Sequence, residues 1–295
     1  MCGVRNLRKE FSMRPLIQSL LLNLLLVLPL VAQDTARSVV ADQTMLSMAD
    51  DFKADIDAVP CDNKQRLNGV KTLFTKHGAP AEAMTVEAYR NVENLLVTLP
   101  GKTAETIIIG AHYDLAGDGS CGAIDNWTGI VSLAHLYRRF KAFPQLDKTL
   151  LFVAFGSEEK GLVGSHAMAD AINKRKDNEQ YCAMVNIDSL GLAATQVFEN
   201  VSNKRLAQLA WEAADEQALP FQRRTIAGAD ADSSSFLKRK IPAVSLVGMP
   251  ANWQDFLHTK NDQARQVNLT NVYQGYRIAL VLIAKINDQS CGAFR

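Results

Sequence analysis

The sequence has no excess of charge of either sign, because its 295 residues include 32 lysines and arginines against 31 aspartates and glutamates, a net charge of +1. This balance gives no electrostatic basis for binding nucleic acid or an anionic membrane surface. A mean hydropathy of −0.05 excludes a polytopic membrane protein. Hydrophobic residues still make up 47% of the chain, which supports a large buried core and excludes disordered, collagen-like and coiled-coil chains.

The N-terminus lacks the roughly 20 uninterrupted apolar residues of a membrane-spanning helix. Basic residues precede an apolar run over residues 16–32, which polar side chains and a proline interrupt. This pattern is typical of a secretory signal peptide, and it predicts that residues 1–32 are removed near Ala32 or Gln33. Met13 is an alternative start, and a membrane anchor is the alternative interpretation. We therefore expect an exported protein, periplasmic or extracellular, without stable membrane insertion after cleavage.

The sequence has no Cys-x-x-Cys pair, so a thiolate metal site is not indicated. Cys2 would leave with the signal peptide, and the four remaining cysteines are an even number in an exported protein. One or two disulfide bonds are therefore expected, with buried free thiols as the alternative. Four cysteines allow three pairings. We favour Cys61 with Cys121, a bond that would restrain the loop before Asp125; the other two cysteines are Cys182 and Cys291.

Apolar residues recur with strand and helix periods in alternation, without an internal repeat, a low-complexity tract or a linker. The run Ile107–Ile109 is typical of a strand buried on both faces. The pattern predicts an α/β fold, a single globular domain with a mostly parallel central sheet and helices on both faces. Residues 33–61 are interpreted as a lead-in and 62–295 as the domain. Predicted strands are 92–99, 106–110, 149–155, 183–187 and 242–247, and predicted helices are 62–77, 127–140, 161–173, 206–218 and 269–286.

Side chains that bind metals follow three of the predicted buried strands. Ligand sites in α/β sheets gather at the carboxyl ends of strands, so these groups are expected to lie close together. A further aspartate precedes the helix at 127–140, and a histidine follows the strand at 242–247. The residues are His112 and Asp114, Glu158 and Glu159, Asp188, Asp125, and His258.

Each of these residues alone has a structural explanation. His112 could be a hydrogen-bonded core histidine, and Asp125 could cap a helix. Glu158 and Glu159 could be a solvated pair near a helix start. Their co-occurrence argues against that explanation, because carboxylates packed together without a cation repel one another. Imidazole and carboxylate ligands without sulfur suit zinc, or manganese or cobalt, and three carboxylates with two histidines suit a two-metal hydrolytic site.

These segments together resemble the di-zinc aminopeptidases of the bacterial leucyl-aminopeptidase type, whose fold is shared with glutaminyl cyclases and the transferrin receptor ectodomain. The order and separations of the motifs are similar over residues 62–287, and jointly the motifs are specific. They are Gly110-Ala111-His112-Tyr113-Asp114, Gly122-Ala123-Ile124-Asp125-Asn126-Trp127-Thr128-Gly129, Ser157-Glu158-Glu159-Lys160-Gly161-Leu162-Val163-Gly164-Ser165, Asn186-Ile187-Asp188 and His258-Thr259.

The resemblance implies a role for each position. Asp125 would bridge two zinc ions, with cobalt or manganese as alternatives. His112 and Asp188 would complete the ligands of one ion, and Glu159 and His258 those of the other. Glu158 would be the general base. Asp114 would orient the imidazole of His112 through its other ring nitrogen, and Asp232 would belong to the substrate site.

The activity implied is that of a metallo-aminopeptidase, a hydrolase that removes N-terminal residues from peptides. A metal-bridging water would lose its proton to the glutamate base and attack the scissile carbonyl. Acidic groups would hold the free α-amine of the substrate, so peptides with a free N-terminus are the expected partners.

The chain departs from the resembled family at three positions. Leu257 stands where a tyrosine often precedes the last histidine, so a hydroxyl that would assist the substrate carbonyl is absent or comes from elsewhere. Ile124 replaces an aspartate beside the proposed bridging ligand, which should not matter. Ser233 replaces a histidine that often follows the acidic position at Asp232.

Alternative functions on the same fold remain open at this point. A glutaminyl cyclase-like acyltransferase would use one zinc ion and many of the same residues. A non-catalytic binding homologue should have lost ligands, and none of the five is missing. A carboxypeptidase or another amidohydrolase is a further alternative. The sequence does not indicate the side-chain preference or the oligomeric state.

Overall fold

The computed structural model describes residues 47–89, 91–143 and 146–295. The predicted signal peptide, residues 1–32, lies outside the described residues, as does the first part of the predicted lead-in. Within the described ranges, no helix is both long enough and apolar enough to cross a membrane.

The described strands form one eight-stranded sheet. They are β1 (Met84–Tyr89), β2 (Val92–Leu99), β3 (Thr103–His112), β4 (Lys148–Phe155), β5 (Tyr181–Asp188), β6 (Gln196–Phe198), β7 (Gln222–Arg224) and β8 (Ala243–Val247). Their order is β1-β2-β4-β3-β5-β8-β6-β7. The four central strands, β4, β3, β5 and β8, are mutually parallel, and antiparallel pairs join them to β2 and β6. The carboxyl ends of the four central strands therefore meet at one edge of the sheet.

Helices cover both faces of this sheet. They are α1 (Ala49–Asp57), α2 (Asn63–Lys76), α3 (Thr128–Lys141), α4 (Val163–Arg175), α5 (Lys204–Asp215), α6 (Asp232–Leu237) and α7 (Leu269–Asn287). Side chains of α1, α2, α3, α5 and α7 belong to one hydrophobic core, and those of α4 and α6 to a second. Both cores include residues of the central strands, so the expected α/β class with helices on both faces is confirmed.

The three consecutive isoleucines of β3 show why this strand is central. Ile107 and Ile109 pack into the first core and Ile108 into the second, and all three are fully buried. Side chains alternate across a strand, so a continuous apolar run is stable only where both faces are covered. Burial of each isoleucine contributes about 1.5–3 kcal/mol relative to an exposed position.

The predicted strands and helices are all present, most of them with ends shifted by a few residues. The interval 92–99 is reproduced as β2, while β3 extends beyond the predicted residues 106–110 to His112. The pattern missed β1, β6, β7 and α6. The strands β6 and β7 have three residues each, and β1 is a partly exposed edge strand, so their apolar signal is weak.

A buried polar cluster fastens α1 to the rest of the domain. Asp55 Oδ2 lies 2.7 Å from Nε2 of His77 and 3.0 Å from Nε2 of His135. His135 Nδ1 lies 2.5 Å from the hydroxyl of Ser47, and the indole N–H of Trp127 donates to the backbone carbonyl of Asp55 at 2.9 Å. Ser47, His135 and Asp55 are buried, so this arrangement has no access for a substrate and serves packing.

Two disulfide bonds tie distant segments together. Cys61 and Cys121 are bonded with an S–S distance of 2.03 Å, the pairing favoured from the sequence. The second bond joins Cys182 to Cys291 and attaches the C-terminal residues to β5. The first bond links the residue just before Asp62, the N-cap of α2, to the segment that leads to Asp125.

Candidate active site

The proposed ligands come from neighbouring strand ends. His112 is the last residue of β3 and Asp188 the last residue of β5, and these two strands are parallel neighbours. Glu158 and Glu159 follow β4, on the other side of β3. The chain turns there at Ser157, whose φ of 56° lies in the left-handed region. Parallel pairing thus delivers three of the predicted motifs to one edge of the sheet.

Asp125 lies at the centre of the five proposed ligands. Its Oδ1 atom is 3.0 Å from Nε2 of His112, and its Oδ2 atom is 3.0 Å from Nε2 of His258. His112 Nε2 is also 3.6 Å from Asp188 Oδ1, and His258 Nε2 is 2.9 Å from Glu159 Oε2. The structure therefore brings all five residues together as two groups of three that share Asp125.

His258 reaches this centre from a loop after β8. Its own φ is 60°, in the left-handed region that non-glycine residues seldom adopt. The loop is pressed against a second loop at Gly117, where an added Cβ would lie 2.0 Å from the carbonyl oxygen of His258. Gly117 also has a positive φ of 87°. Only glycine allows this close approach of the two backbones.

The segment around Asp125 is fixed by Asn126. The side-chain amide of Asn126 donates to the carbonyl of Ile187 at 2.9 Å, and its Oδ1 atom accepts from the amides of Gly129 and Ser189. These bonds attach the residue after Asp125 to the end of β5, next to Asp188. A Cβ at position 129 would lie 2.4 Å from Asn126 Oδ1, so glycine is required there.

Asp114 holds the glutamate turn, and its carboxylate also lies within ion-pair distance of His112. Its Oδ1 atom accepts the backbone N–H of Glu158 at 2.9 Å, and its Oδ2 atom accepts that of Glu159 at 3.2 Å. His112 Nδ1 is 3.2 Å from the backbone carbonyl of Asp114 and 3.7 Å from its Oδ1 atom. The backbone carbonyl of Asp114 is thus the nearer partner of the imidazole, and the carboxylate lies between that ring and the turn that it orients.

Negative charge dominates the site. Burial, aided by nearby Asp232 and Asp188 and opposed by His112, raises the pKa of Glu158 to about 9. Burial alone would lower the pKa of His112, but the surrounding carboxylates outweigh burial and raise it. Hydrogen bonds to Asp125 and Glu159 raise the pKa of His258 to about 10. The converging carboxylates raise the pKa of both histidines and add to the effect of burial at Glu158, and bound cations would relieve the repulsion among them.

The donor set fits zinc. Imidazole nitrogens and carboxylate oxygens are present in each group of three, without thiolate. Glu159 Oε1 is buried and has no hydrogen-bond partner among the described residues. A buried carboxylate oxygen without a partner is costly, and a bound cation would satisfy it.

A cavity of about 300 Å³ opens beside the ligands. His112, Asp125, Glu158, Glu159, Asp188 and His258 line one side. The rest of the lining is largely apolar, and its larger members are Phe198, Ile226, Val247, Met249, Trp253 and Leu257. Leu257, at the position where the resembled family often has tyrosine, thus contributes apolar surface. The cavity can hold a small apolar group next to the carboxylate cluster.

Asp232 does not reach this cavity. It is fully buried as the first residue of α6 and is not among the lining residues, which include its neighbour Ala231. Burial raises the pKa of Asp232 to about 7. Asp232 influences the site through its charge near Glu158, and its contact with substrate stays a prediction.

Sequence reasoning missed two buried charged residues that contact the Asp125 segment. Asp262 accepts the backbone N–H groups of Ile124 at 2.6 Å and of Asp125 at 3.3 Å. Arg66, on α2, donates to backbone carbonyls of the same segment. In the sequence, Arg66 cannot be distinguished from the solvent-exposed lysines and arginines of an amphipathic helix. Asp262 lies four residues after His258, and this spacing is the only cue in the sequence.

Comparison with known proteins identifies the family. The sequence profile of peptidase family M28 matches residues 94–283, a range that contains all five proposed ligands. The chain belongs to peptidase family M28. The resemblance drawn from the motifs is confirmed by this match.

This M28 peptidase is similar in sequence to a probable leucine aminopeptidase, and it shares its fold with a zinc aminopeptidase and a glutaminyl cyclase. It is 25% identical over 285 residues to a probable leucine aminopeptidase of Arthroderma otae, a match that covers 88% of this chain and 75% of the relative. BSAP, a zinc aminopeptidase from Bacillus subtilis, shares the fold with a TM-score of 0.59 at 21% identity, covering 65% of this chain and 49% of BSAP. Glutaminyl cyclase from Porphyromonas gingivalis has a TM-score of 0.68 at 14% identity, covering 82% of this chain and 99% of the cyclase.

Proposed function

We propose that this M28 peptidase is an exported, zinc-dependent aminopeptidase that removes N-terminal residues from peptides. The observation that carries the proposal is the position of Asp125, whose two carboxylate oxygens each lie 3.0 Å from a different histidine. This geometry supplies two ligand groups with one shared carboxylate, as a two-ion site requires. The names of the fungal relative and of BSAP support the same reaction.

His112, Asp125 and Asp188 would hold one ion, and Asp125, Glu159 and His258 the other. When bound, the ions would supply Lewis-acid activation of water and of the scissile carbonyl. Asp114 supports this arrangement because it accepts the backbone N–H groups of both glutamates. The carboxylate of Asp114 therefore positions the backbone of both the proposed base, Glu158, and one proposed ligand, Glu159.

Glu158 is the proposed general base and acid. It lines the cavity, and it is absent from both ligand groups that contain Asp125. Glu158 takes one proton from the attacking water and delivers it to the nitrogen of the leaving amine when the C–N bond breaks. Metal ions held by the neighbouring ligands would lower the raised pKa of the Glu158 carboxyl. The carboxyl would then be ionised and able to act as a base.

The carboxylates beside the cavity favour a substrate with a positively charged α-amine. The described lining residues contain five carboxylates and no lysine or arginine, so the carboxylates outnumber the two histidines that line the same cavity. An ammonium group at the N-terminus of a peptide complements this charge, whereas a C-terminal carboxylate would be repelled. The charge of the cavity thus argues for an aminopeptidase over a carboxypeptidase.

Export is supported by the basic and apolar N-terminal sequence and by the two disulfide bonds, which persist in oxidising compartments. We assign residues 62–295 to the peptidase domain, and N-terminal sequencing of the mature protein tests the proposed removal of residues 1–32. A mature N-terminus near Gln33 is the expected result.

The activity is tested with purified protein, aminoacyl-p-nitroanilides, N-terminally blocked analogues and peptides that begin with glutamine. Release of p-nitroaniline from the free substrates only, with two zinc ions per chain, is expected. Loss of activity in chelator and its recovery with zinc would follow from the same proposal. Cleavage of blocked substrates at an equal rate would contradict the exopeptidase assignment.

A glutaminyl cyclase is the second candidate, because the cyclase from Porphyromonas gingivalis is matched over 99% of its chain. It would need one ion, whereas the structure offers a second group in His112, Asp125 and Asp188. Pyroglutamate formation from glutaminyl peptides with a single bound ion would favour the cyclase.

A further inference from the structure

Two buried residues of opposite charge form hydrogen bonds with the segment that leads to Asp125. Arg66 is fully buried, and its guanidinium donates to the backbone carbonyls of Tyr113, of Cys121 at 2.8 Å and of Gly122 at 3.1 Å. The same group donates to the carbonyl of Pro60 at 3.1 Å. One side chain of α2 therefore donates hydrogen bonds to four backbone carbonyls, and three of these carbonyls lie between His112 and Asp125 in the sequence.

Asp262 takes the amides of the same segment. Its carboxylate accepts from the N–H groups of Ile124 and Asp125, and its backbone carbonyl accepts from the N–H of Cys121 at 3.0 Å. Asp262 is fully buried and lies in the loop that carries His258. Asp125, the proposed bridging ligand, is thus held in place by the loop that carries another ligand, His258.

We propose that Arg66 and Asp262 form a clamp of positioning residues that sets the segment 113–125 in its metal-binding conformation before the ions bind. This inference rests on the proposed metal function. The backbone amides and carbonyls of a buried loop need hydrogen-bond partners in place of water. Arg66 supplies donors for the carbonyls and Asp262 supplies acceptors for the amides, and these charge-assisted bonds favour one conformation of the loop. Such support for a ligand typically changes metal affinity 10- to 100-fold.

Asp262→Asn tests the clamp, because it keeps the size of the side chain but turns one acceptor into a donor that faces a backbone N–H. Asp255→Asn is the matched control, since it makes the same change in the same loop at an exposed residue that contacts Asn252. Zinc dissociation constants are measured by competition with a chelator, and the melting temperature is measured for each metal-free variant. We expect zinc binding at least tenfold weaker in Asp262→Asn and unchanged in Asp255→Asn.

Two measurements remain informative if Asp262→Asn does not fold. Arg66→Lys keeps the positive charge but cannot reach four carbonyls, and we expect it to weaken zinc binding as well. Hydrogen exchange of the unaltered metal-free protein is expected to show protected amides at Ile124 and Asp125. Exchange of these amides at the rate of an unstructured peptide would overturn the clamp.

The outcomes separate the clamp from the proposed function. Wild-type protein that binds two ions while Asp262→Asn binds them equally well overturns the clamp alone. A lower melting temperature of metal-free Asp262→Asn with an unchanged zinc affinity also overturns it, because that result indicates a purely structural role. Wild-type protein that binds no zinc overturns both proposals.

Discussion

The carboxylate of Asp114 accepts the backbone N–H of Glu158 at 2.9 Å. This bond connects the end of β3, where His112 lies, with the turn after β4, where the proposed base lies. Asp114, two positions after the proposed ligand His112, thereby positions the backbone of the proposed base Glu158. The side chain of Glu158 remains free to act in the cavity, since it is the backbone that is held.

Glu158→Gln should separate catalysis from metal binding. The amide keeps the shape of the side chain but cannot accept a proton from water, so we expect kcat to fall by at least about two orders of magnitude. Zinc content should stay near that of the wild type. Glu159→Gln is the matched comparison, because its carboxylate contacts His258 at 2.9 Å and its loss should weaken zinc binding. Loss of zinc from the Glu158 variant would show that the two roles are misassigned.

The apolar wall of the cavity predicts the preferred N-terminal residue. Burial of a leucine side chain there contributes about 1.5–3 kcal/mol, whereas a glutamate side chain would meet the carboxylates of the site. We expect kcat/KM for leucyl-p-nitroanilide to exceed that for the glutamyl compound at least about tenfold. Trp253→Ala should reduce this ratio. Trp211→Ala, at a tryptophan that is 42% exposed on α5 and does not line the cavity, should leave it unchanged.

Much of the site was predictable because several of its residues directly follow buried strands. The apolar runs of β3, β4 and β5 are buried on both faces, which marks them as parallel central strands, and the polar residues after them must then meet at one edge. His112 and Asp188 are the last residues of such strands. Asp125 and His258 are not at strand ends. They were candidates because one precedes a helix and the other follows a strand, and the resemblance of their motifs to a known family gave them roles.

The remaining parts of the site depend on contacts that no local pattern encodes. No local pattern in the sequence indicates that Arg66 reaches from α2 to three backbone carbonyls of another segment. The helix α6 contains three consecutive serines, which disfavour helix in isolation, and burial under the second core overrides that preference. The position of Asp232 behind the cavity wall follows from this helix and was missed with it.

The bond between Cys61 and Cys121 should stabilise the protein without taking part in catalysis. The two residues are 60 positions apart, so in the chain-entropy description its loss costs about 4 kcal/mol. For a chain of this size we expect Cys61→Ser/Cys121→Ser to melt roughly 10 °C lower. The value of kcat/KM well below that temperature should be unchanged. Cys182→Ser/Cys291→Ser is the matched control for the other bond. Peptide mapping that finds Cys121 as a free thiol in the wild type would contradict the pairing.

Acid should destabilise the protein through His135. Burial, together with the positive charge of His77 and against the attraction of Asp55, lowers the pKa of His135 to about 4. Between pH 4 and the ordinary pKa of about 6.5, the unfolded chain binds a proton at this residue and the folded protein does not. The free energy of unfolding therefore falls as the pH falls through this window, by up to about 1.4 kcal/mol per pH unit.

Denaturant unfolding of the zinc-saturated protein at several pH values measures this slope. His135→Asn removes the titrating ring and should flatten the dependence between pH 6.5 and 4, although the variant will be less stable at pH 7 because a buried hydrogen bond to Asp55 is lost. His166→Gln, at a partly exposed histidine outside the Asp55 cluster, should keep most of the slope. A slope of equal size in His135→Asn would mean that other groups, and not the cluster that fastens α1, set the acid limit of the fold.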